Sequence, residues 1–197
     1  MPYTVTPTAL ADVLILEPKV FSDARGFFFE SFNERDFQVA TKLDVRFVQD
    51  NHSQSTKGVL RGLHYQLQQP QGKLVRVVRG EVFDVAVNLQ LNHPDFGQGF
   101  GVHLSADNKK QIWIPPGFAH GFLVLSDVAD FLYKTTDYYV PSAERCLLWN
   151  DPVLKIEWPL NALNGLAPIL TDKDRLGAKL IDAELFKKNV VRPSQTF

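Results

Sequence analysis

Three short segments of this 197-residue chain place proton-transfer groups inside or beside apolar strand patterns: Arg61-Gly62-Leu63-His64-Tyr65-Gln66, Trp113-Ile114-Pro115-Pro116-Gly117-Phe118-Ala119-His120-Gly121 and Tyr133-Lys134-Thr135-Thr136-Asp137-Tyr138-Tyr139. A histidine and a tyrosine can act as base and acid at neutral pH without a cofactor, which points to isomerisation at an acidic C–H bond. His64 stands where a strand interior normally takes an apolar residue. It reads either as a core histidine with satisfied ring nitrogens or as a functional base. Tyr133 and Tyr139, on one expected strand, share a face and lie about 20 Å apart. They either contact a long ligand near its two ends or pack as an inner wall with hydroxyls in water. Arg25, Arg61 and Lys73 could pair with a diphosphate, whose oxygens match the Arg fork. Arg61 and His64 fall on opposite faces of an ideal strand, and a bulge at Gly62 would bring both into one cavity. His52, His93 and His103 occupy turns or alternating positions and read as solvated.

These residues need a β framework. Strands are expected at 13–16, 26–32, 45–50, 58–66, 74–78, 82–87, 101–105, 111–115, 122–125 and 129–139, with a turn over 22–25 and others rich in Gly, Pro, Asn and Asp between them. A short helix begins after the N-cap Asn33, with Glu34 and Asp36 in its first turn, and ends near Lys42. Leu176, Leu180, Ala183 and Leu185 at helical spacing predict one or two helices over about 173–188. Strands every 8–12 residues without intervening helices mean a sandwich or barrel. The chain reads as one domain over 1–197, with no repeat and no linker.

Composition removes several classes of function. A net charge of −1 leaves no electrostatic footprint for nucleic acid or an anionic membrane. No stretch approaches the roughly 20 apolar residues of a membrane span, and the start lacks the basic-then-apolar pattern of a leader. The single cysteine, Cys146, can form no intrachain disulfide and reads as a packed thiol. The expectation is a cytoplasmic protein.

Pro115-x-Gly117-x-x-His120 resembles the second half of the metal-binding signature of the cupin jelly-roll barrels. The first half of that signature needs His-x-His, and here the chain reads His64-Tyr65-Gln66, so too few ligands remain for a metal. An all-β, metal-free cupin-type jelly roll is expected, its core at about 45–150, with short helices in the N-terminal third and at the C-terminus.

Across nearly its whole length the chain also resembles the dTDP-4-dehydrorhamnose 3,5-epimerases. The resemblance rests on Glu17-Pro18-Lys19-Val20-Phe21, Asp23-x-Arg25-Gly26-Phe27-Phe28-x-Glu30, Phe47-Val48-Gln49-Asp50-Asn51, Val59 to Gln66, Gly72-Lys73-Leu74-Val75, Gly80-Glu81-Val82-x-Asp84-Val85, Ile114 to Gly121, Tyr133-Lys134 and Tyr138-Tyr139. It implies His64 as general base, Asp174 as its carboxylate partner and Tyr133 as the acid on the opposite face of the sugar. It implies Lys73 and His120 at the carbonyl-derived oxyanion or nearby oxygens. Arg25, Phe28, Glu30, Gln49, Asn51, Arg61, Tyr139, Glu144 and Lys173 would bind the nucleotide and diphosphate, with Tyr139 stacking on thymine. It further implies a dTDP-sugar substrate, no cofactor, and a homodimer in which Arg25, Phe28 and Glu30 enter the partner's site.

The implied reaction converts dTDP-4-keto-6-deoxy-D-glucose to dTDP-4-keto-L-rhamnose. The residues suit it, because a ketone at carbon 4 acidifies the hydrogens on carbons 3 and 5. Epimerisation then needs a base, an acid and stabilisation of an enolate. Three rivals remain: a 3-epimerase of an antibiotic sugar pathway, a metal-dependent cupin such as a dioxygenase, and a non-catalytic nucleotide-sugar binding module.

Overall fold

The computed structural model describes residues 3–186. In chain order the strands are Thr4–Pro7 (β1), Leu14–Glu17 (β2), Phe21–Asp23 (β3), Gly26–Phe28 (β4), Gln49–Thr56 (β5), Leu60–Gln66 (β6), Lys73–Arg79 (β7), Glu81–Asn88 (β8), Gly99–Ser105 (β9), Gln111–Ile114 (β10), Phe118–Val124 (β11), Val128–Thr135 (β12) and Glu144–Cys146 (β13). Two helices, Glu34–Thr41 (α1) and Asp172–Arg175 (α2), and a few 3-10 turns complete the described residues.

All named strand pairs are antiparallel. One sheet runs β1-β2-β10-β7-β12-β5, the other β13-β6-β11-β8-β9, and β3-β4 form a separate hairpin. The two sheets close on Val75, Val77, Ile112 and Phe131 from the first and Val82, Ala86, Leu104 and Phe122 from the second. Burying these branched and aromatic side chains is the main force holding the sheets together. A second cluster, including Leu63, Val85, Ala119 and Leu147, covers the outer side of the five-stranded sheet, where Leu154 and Leu180 pack on it. A third joins α1 to the other sheet through Phe37, Phe47, Leu74 and Trp113.

Helix α1 has the expected cap: the Asn33 side chain accepts the Asp36 N–H at 3.2 Å, and Lys42 ends the helix in the left-handed region. Elsewhere the chain departs from the expected pattern. The strand expected at 45–50 is shifted to β5, because Val45 and Phe47 are core residues of the α1 cluster while the edge strand itself is built from polar residues. The strand expected at 26–32 is only β4, whereas β1, β3 and β13 had no expectation. The strand expected at 129–139 ends at Thr135, where Asp137 caps a turn by accepting the Tyr138 N–H at 2.8 Å. Tyr133 and Tyr139 are therefore not on one regular strand.

The helix expected at 173–188 is also absent in that form. Only α2 and a 3-10 turn at Leu180–Asp182 are helical, and residues 187–188 lie outside the described part. Between them Gly177 presses on the Leu147 backbone, and Ala178 pairs with the chain after β13: its N–H donates to the Cys146 carbonyl at 2.9 Å, and its carbonyl accepts from Leu148 at 2.8 Å. Extended pairing overrides the helical period here. His93 is not solvated: its side chain is 10% exposed, 3.7 Å from Asp12, and it accepts the Asp95 N–H at 3.1 Å. No described helix is long and apolar enough to cross a membrane.

Candidate active site

Strand β6 carries the first wall of the site. Its register against β11 slips between the pairs His120–His64 and Phe122–Arg61, so Gly121 faces both Gly62 and Leu63. That is a bulge of the kind the Arg61/His64 spacing left open. Gly62 makes it possible: at φ +123°, a Cβ there would lie 2.5 Å from the Gly121 Cα and 2.8 Å from the His120 carbonyl oxygen.

The slip turns His64 toward α2, where a ring nitrogen meets Asp174 Oδ1 at 2.6 Å. The same oxygen accepts the Gly62 N–H at 3.1 Å, and Oδ2 accepts from the Thr171 hydroxyl. Thr171 is itself the N-cap of α2. Burial works against the Asp174 charge, but the hydrogen bonds from His64, Thr171 and Gly62 prevail and hold its pKa at about 2. The imidazole thus faces a fixed carboxylate and keeps its second nitrogen for other work.

Tyr133 and Lys73 come from the facing sheet, on β12 and β7, which are neighbours. With His64, Tyr139 and Glu144 they line a cavity of about 80 Å³. Burial pushes the Tyr133 phenol above its ordinary value, with the Glu144 and Tyr139 charges acting in the same sense, so it stays protonated at neutral pH. Burial lowers Lys73 to about 8 against the opposing field of Asp84 and Glu144. Beside His64, His120 is buried with Nε2 at 2.9 and 3.1 Å from the two oxygens of Asp84.

The rim gathers the polar residues. Glu144 Oε2 accepts from the Tyr139 hydroxyl at 3.1 Å and from the Lys173 ammonium at 2.8 Å. On β5, Gln49 donates to Asn51 at 2.9 Å and accepts the Tyr139 N–H at 3.2 Å, while Asn51 lies directly across from Tyr133. Arg61 donates to Ser55 at 3.1 Å and its charge reaches Tyr133.

His64, Asp174, Tyr133, Lys73, His120, Tyr139, Glu144, Lys173, Gln49, Asn51 and Arg61 are thus gathered at one end of the sandwich. Arg25 and Phe28 are not. They stand on the β3-β4 hairpin with Arg25 tied to Asp23 and the Phe28 ring 63% exposed, and Glu30 lies just beyond, near Asn33.

Sequence reasoning missed three supports. Thr171 fixes Asp174, and the Thr171-x-x-Asp174 capping pattern was its signal. Asp84 holds His120, signalled only by a charge inside an apolar strand. Gln66, at the place of the cupin signature's second histidine, donates to the Tyr138 carbonyl at 2.9 Å and accepts the Val140 N–H at 2.8 Å, clamping the loop that carries Tyr139.

Ligand atoms of His64, Cys146 and Asp174 lie within 4.8 Å of one another, but they suit a metal poorly. Both Asp174 oxygens are committed, and burial with the Asp174 charge pushes the Cys146 thiol up to about 12, so it stays protonated.

Two antiparallel sheets facing each other around a site open at one end make this a cupin-type jelly-roll barrel, with acid–base groups on both walls rather than a metal-binding set. Comparison with known proteins gives the family. The family described as dTDP-4-dehydrorhamnose 3,5-epimerase matches residues 7–182. A protein of that name from Pseudomonas aeruginosa is 60% identical over 92% of this chain and 98% of its own length. One from Shigella flexneri is 58% identical over 92% and 98%. Among solved structures, the Legionella pneumophila 3,5-epimerase in complex with dTDP-4-keto-L-rhamnose superposes with a TM-score of 0.90 at 50% identity, covering 95% of this chain and all of that one. A 3'-monoepimerase from Streptomyces bikiniensis, in complex with dTDP-quinovose, gives 0.82 at 32% identity over 89% and 87%. The chain belongs to the dTDP-4-dehydrorhamnose 3,5-epimerase family, and the family's members are isomerases.

Proposed function

We propose that this protein epimerises dTDP-4-keto-6-deoxy-D-glucose at carbons 3 and 5 to give dTDP-4-keto-L-rhamnose, the ketone that leads to dTDP-L-rhamnose. The observation that carries this reading is the placement of His64, backed by Asp174 of α2, on one sheet and of Tyr133 on the facing sheet of the same cavity. Inversion at carbon needs a proton removed from one face and returned to the other.

In the proposed mechanism the free nitrogen of His64 takes the hydrogen of carbon 3 or 5, and the electron pair moves to the carbon 4 oxygen. Asp174 stabilises the imidazolium. The Lys73 ammonium faces the developing enolate oxygen, and His120 serves a neighbouring sugar oxygen. Tyr133 delivers its phenolic proton to the opposite face and the carbonyl re-forms. His64 and Tyr133 return to their starting states by exchange with water, and the second carbon follows in the same way. The nucleotide occupies the rim, with thymine on Tyr139 and the diphosphate near Arg61 and Lys173.

The working unit in this reading is a homodimer of a single-domain chain in the cytoplasm. The β3-β4 hairpin supports it: Phe27 and Phe28 are 61% and 63% exposed, a costly display of aromatic surface in a monomer. Arg25, Phe28 and Glu30 then complete the partner's nucleotide pocket. The test is NMR of the reaction with dTDP-4-keto-6-deoxy-D-glucose in deuterated buffer. Deuterium at both carbons with inversion at both is expected. Exchange and inversion at carbon 3 alone would reassign the protein as a 3-epimerase, and no turnover would overturn the reading.

A further inference from the structure

Asp84 is a buried charge that none of the proton-transfer steps uses. It sits on β8 with no exposed surface, in a strand whose other side chains are mostly apolar. Burying a carboxylate is tolerated only where it is paired or hydrogen-bonded. Both Asp84 oxygens lie within hydrogen-bond range of one atom, Nε2 of His120. A carboxylate can only accept, so it holds a proton on that nitrogen and leaves Nδ1 of the neutral ring to accept from a sugar hydroxyl. The ring is held from a second side by Phe131, stacked at 6.0 Å and 24°, which in turn stacks on Phe122 at 4.0 Å. His120 is locked in one orientation.

The second tie is electrostatic. The charged and titratable groups acting on Lys73 are Asp84 from β8, Glu144 from β13 and Lys173 from α2, with His120 beside it on β11. Asp84 is the strongest influence keeping Lys73 protonated, and it likewise favours the charged form of His120, against burial in each case. Glu144 is already shared between Tyr139 and Lys173, so Asp84 is the dedicated counter-charge.

We propose that Asp84 is the positioning residue of the oxyanion side of the site: it fixes the His120 ring by one nitrogen, and its buried negative charge favours the Lys73 ammonium opposite the developing enolate. It touches no substrate atom. The site thus has two histidine–carboxylate pairs with different tasks, His64–Asp174 at the proton and His120–Asp84 at the oxygen. This assignment rests on the epimerase reading above.

The deciding variant is Asp84→Asn, which retains the side chain's size and an oxygen that can accept from His120 while removing the charge. Wild-type turnover of the keto-sugar is measured first; its absence overturns the epimerase reading, whereas the comparison with the variant bears on Asp84. With wild type active, Asp84→Asn is expected to lower kcat by about 10- to 100-fold, the usual scale for losing a carboxylate that orients a functional histidine in metal sites. KM should hold within about threefold, since the rim is untouched. With Lys73 lowered by burial to about 8, wild-type kcat/KM is expected to fall on the alkaline side near that pH, and this limb should move to lower pH in the variant, because the charge that favours the Lys73 ammonium is gone. A merely structural role would lower the melting temperature and leave that limb where it was. A wild-type-like kcat, or an unmoved limb, overturns the proposal. Should the variant fold poorly, 15N NMR of the wild-type protein decides. His120 must show its proton on the nitrogen facing Asp84, and a bare nitrogen there refutes the assignment.

Discussion

Replacing Asp174 by Asn removes one charge beside the proposed base and little else. The new amide oxygen can still accept from His64 and the Gly62 N–H, and its NH2 can donate to the Thr171 oxygen, so the three hydrogen bonds of the native carboxylate survive in number. What is lost appears only when His64 carries a proton. Two unit charges about 4 Å apart interact by about 4 kcal/mol at an effective dielectric constant of about 20. At about 1.4 kcal/mol per tenfold, that is about 10³ in rate. The ionisation of the carboxylate gives a second measure. A fall from 3.8 to about 2 is nearly two pKa units, or about 2 kcal/mol of net preference for the charged form, equivalent to some tens-fold. The expected loss in kcat therefore lies between about 30- and 1,000-fold, with KM little changed because the nucleotide rim is remote from the substitution. Initial rates, together with deuterium wash-in at carbons 3 and 5, measure it, and both should fall in parallel.

A stability control accompanies the kinetics. The native carboxylate value is depressed, so its contribution is full above the unfolded value of about 4 and is lost as pH falls through about 2. The wild type should lose stability across that window, and Asp174→Asn should lose less. A variant whose kcat stays within tenfold of wild type, or whose defect is entirely in KM, refutes the role given to Asp174.

Other substitutions address the remaining parts of the site. Tyr133→Phe keeps the ring and removes the acid, so deuterium should enter on the original face while inversion falls by about 10²- to 10⁴-fold; loss of exchange together with inversion would make Tyr133 the base. Tyr139→Ala should raise KM by about 5- to 100-fold, from a stacking worth of about 1–3 kcal/mol, with a smaller effect on kcat; a collapse of kcat at constant KM would transfer the acid's role to Tyr139. Gly62→Ala pushes a methyl group into the Gly121 backbone at a positive φ, so the melting temperature should drop by about 5 °C or more; an unchanged value would mean that β6 and β11 do not need their close approach. Exhaustive dialysis against EDTA should leave turnover intact, and activity lost to EDTA and restored by a divalent ion would reinstate a metal mechanism.

The sequence exposed these elements unevenly. Central strands such as β8 and β10 were legible because their side chains are mostly buried and mostly apolar, and β7 because of its β-branched valines. The edge strand β5 was misplaced for the opposite reason: Gln49 to Thr56 is polar throughout, and only pairing with β12 makes it a strand. The C-terminal segment carried a helical period that pairing of Ala178 with the chain after β13 overrides. The bulge at Gly62 was raised by the Arg61/His64 spacing as one option, but only the β6–β11 register establishes it. The buried pair His120–Asp84 was not, since 36 residues separate the partners and no local pattern joins them.

Tyr139 lines the same cavity as Tyr133, but not by the route or at the roughly 20 Å separation expected of one strand. It was placed with Tyr133 by counting along one strand, yet the strand stops at Thr135 and the chain turns. Gln66, Gln49 and Glu144 bring it back to the cavity from three different strands. Motifs therefore named candidates without giving their arrangement, and the proposed chemistry depends on the arrangement. An inverting pair must address opposite faces of a flat enolate, which no single strand can do. Sheets packed face to face lie about 10 Å apart, room for one sugar ring between side chains from each. With His64 on one wall, backed by Asp174 of α2, and Tyr133 and Lys73 on the other, the sandwich would separate deprotonation from reprotonation in the proposed mechanism.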